Sequence, residues 1–575
     1  MSQPAVDASP AAAKPFLPAG LNAADWTQLE PLYQSLISRE IKCEKCLEKL
    51  ILNRSDLDAA ANEAEANLYI AMTCHTDDAA AKQAFLNFVE RVDPNLKRVG
   101  FELDKKIAES PHAAKLDQER YGVLLRSVRQ EVKLFRAENV PLQTEATKLD
   151  QQYSEISGAM TVQFEGQERT LPQMGRYLEE TDRAKREAAW RAVAERRLQD
   201  AAKIDAIYDQ LIALRHRMAL NAGFENFRDF QHQRMHRFDY TPADCARFHE
   251  AIEKHCVPLA RELNRARAKE LGLKTLRPWD LKVDVKGRAP LKPFADANDL
   301  IAKTSRTYRA MDAGFARMFD TMLGGGCLDL ESRKGKAPGG YQYQRQASRT
   351  PFIFMNAVGL LNDLTTMVHE AGHAFHSLLC KDDPILLYRG SPMEFAEVAS
   401  MSQELLTLPY LKEFFNDADA ARAKRDQLEN RVITILPWVA QIDAFQHWVY
   451  LNPTKDAKAR EAKWLELDER FGGLVDWSGL EKSHATMWHR QLHLFGIPFY
   501  YIEYGIAQLG ALQVWLASLT DEKKAIADYK KGLALGGSKP LPKLFEAAGI
   551  KFDFSPAMVE KLMHALGAEL KHLPN

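Results

Sequence analysis

The sequence predicts a mainly α-helical protein with a small β-sheet close to its chemistry. Three observations carry that prediction. Apolar residues recur at helical spacing from Glu30 to about Leu570. Only two stretches depart clearly from that period. One is 161–171, which alternates about a Gly-containing turn; the other is 336–356, which opens on Lys336-Ala337-Pro338-Gly339-Gly340 and holds two strand-like runs. Finally, 575 residues that are 46% hydrophobic can bury a large core and divide into two or more lobes.

In chain order, residues 1–20 lack a basic segment followed by an apolar one, so they read as a short disordered Ala/Pro arm and not as a signal peptide. Residues 21–185 read as an up-and-down helical lobe. Pro31 suits the first position of a helix whose apolar face includes Leu32, Tyr33, Leu36, Ile37, Leu47 and Leu50. Ser55-Asp56-Leu57-Asp58 reads as the capped start of the next helix. Asp93-Pro94 and Ser110-Pro111 mark breaks, and charged helices are expected around 121–136 and 142–157. The stretch 161–171 suggests a hairpin. The Arg-, Glu- and Ala-rich run 182–203 mixes its charges and reads as a solvated helical face; it straddles the start of the expected catalytic domain, 186–575. Asn221-Ala222-Gly223-Phe224 is a helix stop, and 278–293 a loop or irregular strand. Tyr341-Gln342-Tyr343-Gln344 and the run 351–356 look like two strands. The sheet they form either offers a free edge to an extended peptide or caps the core.

Composition removes several function classes. There are 77 basic and 78 acidic residues, a formal charge of −1, which gives no support for a nucleic-acid or anionic-membrane partner. No run of 18 apolar residues occurs, so no membrane span is expected. Seven scattered cysteines suit reduced thiols in a cytoplasm. Cys43-x-x-Cys46 lies in a helical pattern with no second Cys/His pair nearby and reads as packing. A monomer is the default.

The chemistry centres on His369-Glu370-Ala371-Gly372-His373. On a helix the two histidines stack on one face at i and i+4, where their imidazoles can bind one zinc ion. Glu370 then stands beside the ion, placed to take a proton from its water. Gly372 suggests that another backbone passes close to this helix. A catalytic zinc needs a third protein ligand, and Met393-Glu394-Phe395-Ala396-Glu397-Val398-Ala399-Ser400 offers two, Glu394 and Glu397, on nearly the same face. Residues 488–505 crowd His489, His493, Tyr500, Tyr501 and Tyr504 around a Gly/Pro break. They are either oxyanion donors or an aromatic core stripe.

Three patches together resemble the zinc metallopeptidases of the thimet oligopeptidase and oligoendopeptidase F family, closer to the oligoendopeptidase F branch. They are His369-Glu370-Ala371-Gly372-His373-Ala374-Phe375-His376, Phe395-Ala396-Glu397-Val398-Ala399-Ser400, and Trp488-x-Arg490-x-x-His493 with Phe499-Tyr500 and Tyr504. Weaker echoes lie at 161–172, 220–227 and 336–341. The resemblance implies a bilobal helical body with a deep central channel, one Zn²⁺ at its floor, and short unstructured peptides as partners. It selects Glu397 as the third ligand beside His369 and His373. It assigns His493, Tyr500 and Tyr504 to substrate binding and the oxyanion, with Tyr501 as the alternative tyrosine. The expected activity is a cytoplasmic zinc endopeptidase with Glu370 as general base. The rivals are a zinc carboxypeptidase or dipeptidyl carboxypeptidase, in which Arg490 could hold the substrate's C-terminal carboxylate, and a non-catalytic zinc protein. Glu370 counts against the second, since a structural zinc needs no base.

Overall fold

Helices take up 69% of the chain in the computed structural model, which describes residues 16–574 apart from Lys334 and Pro338. Two small sheets interrupt them, where the sequence loses its helical period. Strands β1 (Thr161–Phe164) and β2 (Gln167–Thr170) pair antiparallel about Glu165 and Gly166, both at positive φ as a two-residue hairpin turn requires. The second sheet comprises β3 (Leu328–Glu331), β4 (Tyr341–Arg345) and β5 (Thr350–Ala357) in the order β3-β5-β4. β5 is parallel to β3 and antiparallel to β4. Its central residues Phe352, Ile353, Phe354 and Met355 are buried, and after Ala357 the chain passes almost at once into the helix Leu361–Cys380 that carries the histidine motif. β3 was not expected: four residues are too few for an alternation to stand out.

The N-terminal reading needs correction in detail. The first helix is Trp26–Ile37, capped by the Asp25 carboxylate on the Thr27 N–H, and Pro31 lies inside it instead of at its first position. Leu47 and Leu50 belong to the next helix, Glu44–Cys74, which runs straight through Ser55. The Ser-Asp-x-Asp signal fails there because its side chains have other partners. Asp58 accepts from the Tyr33 hydroxyl at 2.7 Å and from Arg54 Nε at 3.1 Å, tying the two helices side by side. Cys43 lies at the end of that helix, where its Sγ accepts the Cys46 N–H as an N-cap. Residues 1–15 of the expected arm lie outside the described residues; Phe16 and Leu17 pack on the cluster around Leu29, Tyr33 and Phe88.

Further along, the 182–203 run forms the helix Arg183–Leu198 and the start of Ala201–Asn221. Its face is not wholly solvated. Arg186 is buried, and with Arg183 it grips the fully buried Asp280 from the 278–293 loop. The expected stop at Asn221 holds, with Gly223 at φ 83°.

Three helices position the site. Met393–Leu406 crosses the motif helix so tightly that a Cβ on Gly372 would lie 2.6 Å from both Ala399 O and Ser400 Cα. Tyr501–Thr520 packs on the far side of Met393–Leu406, where Gly510 leaves room for Val398. Most of the apolar core between residues 134 and 573 surrounds this stack, while the N-terminal helices form smaller clusters, two of which take in Ile385 and Tyr388 or Phe352 and Phe354 from the rest of the chain. Among the described residues, no helix is long and apolar enough to cross a membrane.

Candidate metal centre and active site

The motif helix begins where the Asp363 carboxylate accepts the N–H groups of Val358 and Leu360, satisfying donors that a helix start leaves unpaired. Two turns on, the rings of His369 and His373 stand 5.0 Å apart. Glu397 reaches them from Met393–Leu406. Its Oε2 is 3.4 Å from His369 Nε2 and 3.7 Å from His373 Nε2, and the three donor atoms lie within 4.8 Å of one another. Two donors about 2.0–2.2 Å from a tetrahedral ion are themselves roughly 3.3–3.6 Å apart, so the set fits one zinc-sized cation with little rearrangement. Glu394, the other candidate, turns away: its carboxylate accepts from the Tyr240 hydroxyl at 2.6 Å and faces Arg237.

Two of the three donors, Glu397 and His369, are held from outside. Glu397 Oε1 accepts from the Tyr500 hydroxyl at 2.8 Å and Oε2 from the Ser400 hydroxyl at 2.9 Å. His369 Nδ1 lies 2.7 Å from Glu404 Oε1, which turns its Nε2 toward Glu397. The second oxygen of Glu404 accepts from Gln427 Nε2 at 2.6 Å. Sequence reasoning missed Glu404. The available signal was its place two helical turns after Glu397, on the same face.

Charge converges on this point. Burial opposes a charged His369, yet the Glu404 hydrogen bond and the carboxylates of Glu397, Glu404 and Glu370 lift its imidazole to about 9. Burial also pushes Glu370 up to about 7, while His373 is driven down to about 4 by the same loss of water. A field that favours a proton on His369 this strongly favours a dication between the donors. Glu370 is buried on the side facing β4, where the backbone N–H of Gln342 reaches its carboxylate. β4 is an edge of its sheet, and the described residues place no strand on its outer side.

The late aromatic segment closes over the same centre. The His493 ring lies 5.5 Å from Tyr500, 5.1 Å from Tyr501 and 5.8 Å from Tyr504. Tyr500 and Tyr504 feel the Glu397 charge, and burial first, then that charge, holds both phenols well above their ordinary range, so each keeps its proton to donate. Tyr501 instead faces Trp438, Gln491 and Arg490. Arg490 is exposed and stacks its guanidinium over Trp438 at 4.9 Å. Gln491 fixes the tautomer of His493. Its oxygen accepts from Trp438 Nε1 at 3.2 Å, so its amide nitrogen must donate to His493 Nδ1 at 2.8 Å, leaving the proton on Nε2.

A model of peptidase family M3 matches residues 176–564, and a model of the peptidase M3 N-terminal domain matches residues 16–135. The chain belongs to peptidase family M3. Among curated relatives, oligopeptidase PepF of Bacillus subtilis (strain 168) is 24% identical over 319 residues, 54% of this chain and 46% of that protein. An oligoendopeptidase F homolog of Lactococcus lactis subsp. lactis (strain IL1403) is 29% identical over 179 residues, 30% of this chain and 28% of the homolog. The chain thus spans less than half the length of the curated relatives it matches. Across the whole fold, the solved structure of PZ peptidase A with an inhibitor superposes with a TM-score of 0.90 at 29% identity, covering 95% of this chain and 97% of the other. Within family M3 the chain sits in the oligoendopeptidase F branch. The matched region contains every candidate site residue from His369 to Tyr504.

Proposed function

We propose that this M3 chain is a zinc-dependent endopeptidase that hydrolyses internal bonds of short, unstructured peptides. The supporting observation is the meeting of His369, His373 and Glu397 within one ion's reach, with Glu370 between them and the open edge of β4. When bound there, zinc supplies a Lewis acid that polarises the scissile carbonyl and makes water a nucleophile near neutral pH.

The chain's own residues do the rest. An extended peptide adds to the outer edge of β4 by backbone hydrogen bonds, which need no particular side chains and so suit varied short substrates. Glu370 takes the proton of the attacking water and passes it to the leaving amine, a dual role that suits a carboxyl whose affinity for protons burial has raised. Tyr504 and the Nε2–H of His493 are the donors available to the oxyanion; the Tyr500 hydroxyl, whose one proton goes to Glu397 in this structure, serves the oxyanion only by releasing that carboxylate. Glu404, through His369 Nδ1, keeps the ligand ring in its binding tautomer. A monomer acting on peptides in a cytoplasm completes the proposal, which the seven unpaired thiols support.

The test is hydrolysis of an internally quenched peptide blocked at both ends, with a chelator and then with zinc restored. Internal cleavage that follows the metal is expected. Cleavage only from the free C-terminus of an unblocked peptide would instead establish a carboxypeptidase. Glu370→Gln should keep its zinc and lose roughly 10²–10⁴-fold in turnover; a variant as fast as the parent removes Glu370 from the base role.

A further inference from the structure

A second group of metal-binding side chains lies on other helices. Cys245 and His249 are four residues apart on Pro242–His255, and Asp443 and His447 are four apart on Thr434–Leu451, the helix packed against it. We propose that Cys245, Asp443 and His447 form a second buried site for a zinc-like divalent cation, with His249 orienting the carboxylate.

The donor atoms of these three residues lie within 4.8 Å of one another, as those of the first set do. Asp443 is fully buried, and the two imidazoles both crowd one of its oxygens: His249 Nε2 is 2.8 Å and His447 Nε2 3.3 Å from Oδ2. Oδ1 has no partner. An unpaired carboxylate oxygen in a dry interior is costly, and native proteins rarely leave one without a reason. The adjacent His232, also buried, leaves its Nε2 without a partner. Two imidazoles on one oxygen and a cysteine at their side explain neither vacancy. A cation would use the free oxygen and the sulfur together.

Charge points the same way. A thiolate and a carboxylate balance a dication, so the occupied cluster would be neutral in the core. Sulfur, carboxylate oxygen and imidazole are all ordinary zinc donors, and projecting them inward from two packed helices is how helical bundles build metal sites. Burial keeps the Cys245 thiol protonated at ordinary pH, so binding must release that proton to solvent.

The location gives the site a use. A Cβ on Gly505 would strike Phe248 on one of these helices and Val439 on the other, so the tyrosine helix rests in the groove between them. The His447 ring also packs edge-on to Phe499, next to Tyr500. An ion joining the two helices would stiffen the platform that carries Tyr500 and Tyr504.

The deciding experiment combines metal analysis of the full-length protein with cobalt substitution. Wild type should bind two equivalents. His373→Ala should keep one, and its cobalt form should show a near-ultraviolet thiolate-to-cobalt charge-transfer band, which the His₂Glu set cannot produce. Cys245→Ser should abolish that band. A single equivalent, or a His373→Ala protein with no thiolate band, would overturn the proposal and leave a hydrogen-bonded network around Asp443. The His373→Ala spectrum decides even if Cys245→Ser does not fold, and it does not depend on peptidase activity.

Discussion

Glu404 shows at the scale of single residues how a candidate metal site is set from outside its donor side chains. Its carboxylate does not touch the ion position, yet it sets which nitrogen of His369 carries a proton. Glu404→Gln should therefore weaken zinc binding roughly 10–100-fold while leaving the fold intact, measured by competition with a chromophoric chelator. The two tyrosines should separate in the same assay. Tyr504→Phe should lower turnover by about 10²–10³-fold at unchanged metal affinity. Tyr500→Phe should lower both, because the Tyr500 hydroxyl also holds Glu397. Equal metal affinities in the two variants would refute that division. The sequence made His369, Glu370 and His373 legible because their spacing is local. Glu404 was not legible, since its contact joins residues 35 apart in the chain. The residues alone left Glu394 and Glu397 open and the family resemblance selected Glu397; in the structure Glu397 faces the two histidines while Glu394, about 60° round the helix, faces Tyr240.

At the scale of elements, small residues and buried pairs set the distances between helices. Gly372 was readable as a close-approach site, and Gly372→Ala should push Met393–Leu406 away from the motif helix. The expected loss is roughly 1–3 kcal/mol in thermal unfolding, together with weaker zinc binding, because Glu397 moves with its helix. Unchanged stability would mean that the helices part without cost. The pair of arginines on Asp280 makes a larger claim. Asp280→Asn leaves the buried Arg186 without a counter-charge and should destabilise by about 3–5 kcal/mol in chemical denaturation. Sequence reading took that arginine run as solvated, since a helix of alternating charge looks the same whether or not a distant loop covers it. Pro31 and Ser55 misled for a related reason. Each resembles a helix start, but Asp25 had already capped one helix and Asp58 was committed to Tyr33 and Arg54.

Across the whole molecule, the three-stranded sheet joins parts far apart in sequence. Lys336 and Arg333 hydrogen-bond Asp329 on β3, and although burial alone would raise its carboxyl, those cations hold it well below the usual carboxylate range. A depressed carboxyl stabilises the fold above its unfolded value of about 3.9 and loses that contribution as pH falls through the lower, folded one. Stability measured by denaturant should therefore decline below about pH 4, and Asp329→Asn should flatten that decline. The long helix Glu44–Cys74 docks directly on the same face of that sheet, where Arg333 also donates to the Cys74 carbonyl at 2.9 Å. Tyr69 packs against Tyr341 and Tyr343, the Thr73 hydroxyl meets the Tyr341 hydroxyl at 2.6 Å, and Ile70 and Cys74 cover Phe352 and Phe354. The two family models match 16–135 and 176–564 separately, but the packing joins the two regions. Produced alone, a 136–575 fragment, which keeps all of the main core but Leu134, would carry a naked aromatic patch beside an unpaired strand edge and should precipitate. Supplying residues 16–135 as a separate chain should return it to solution, because the two pieces are halves of one interface.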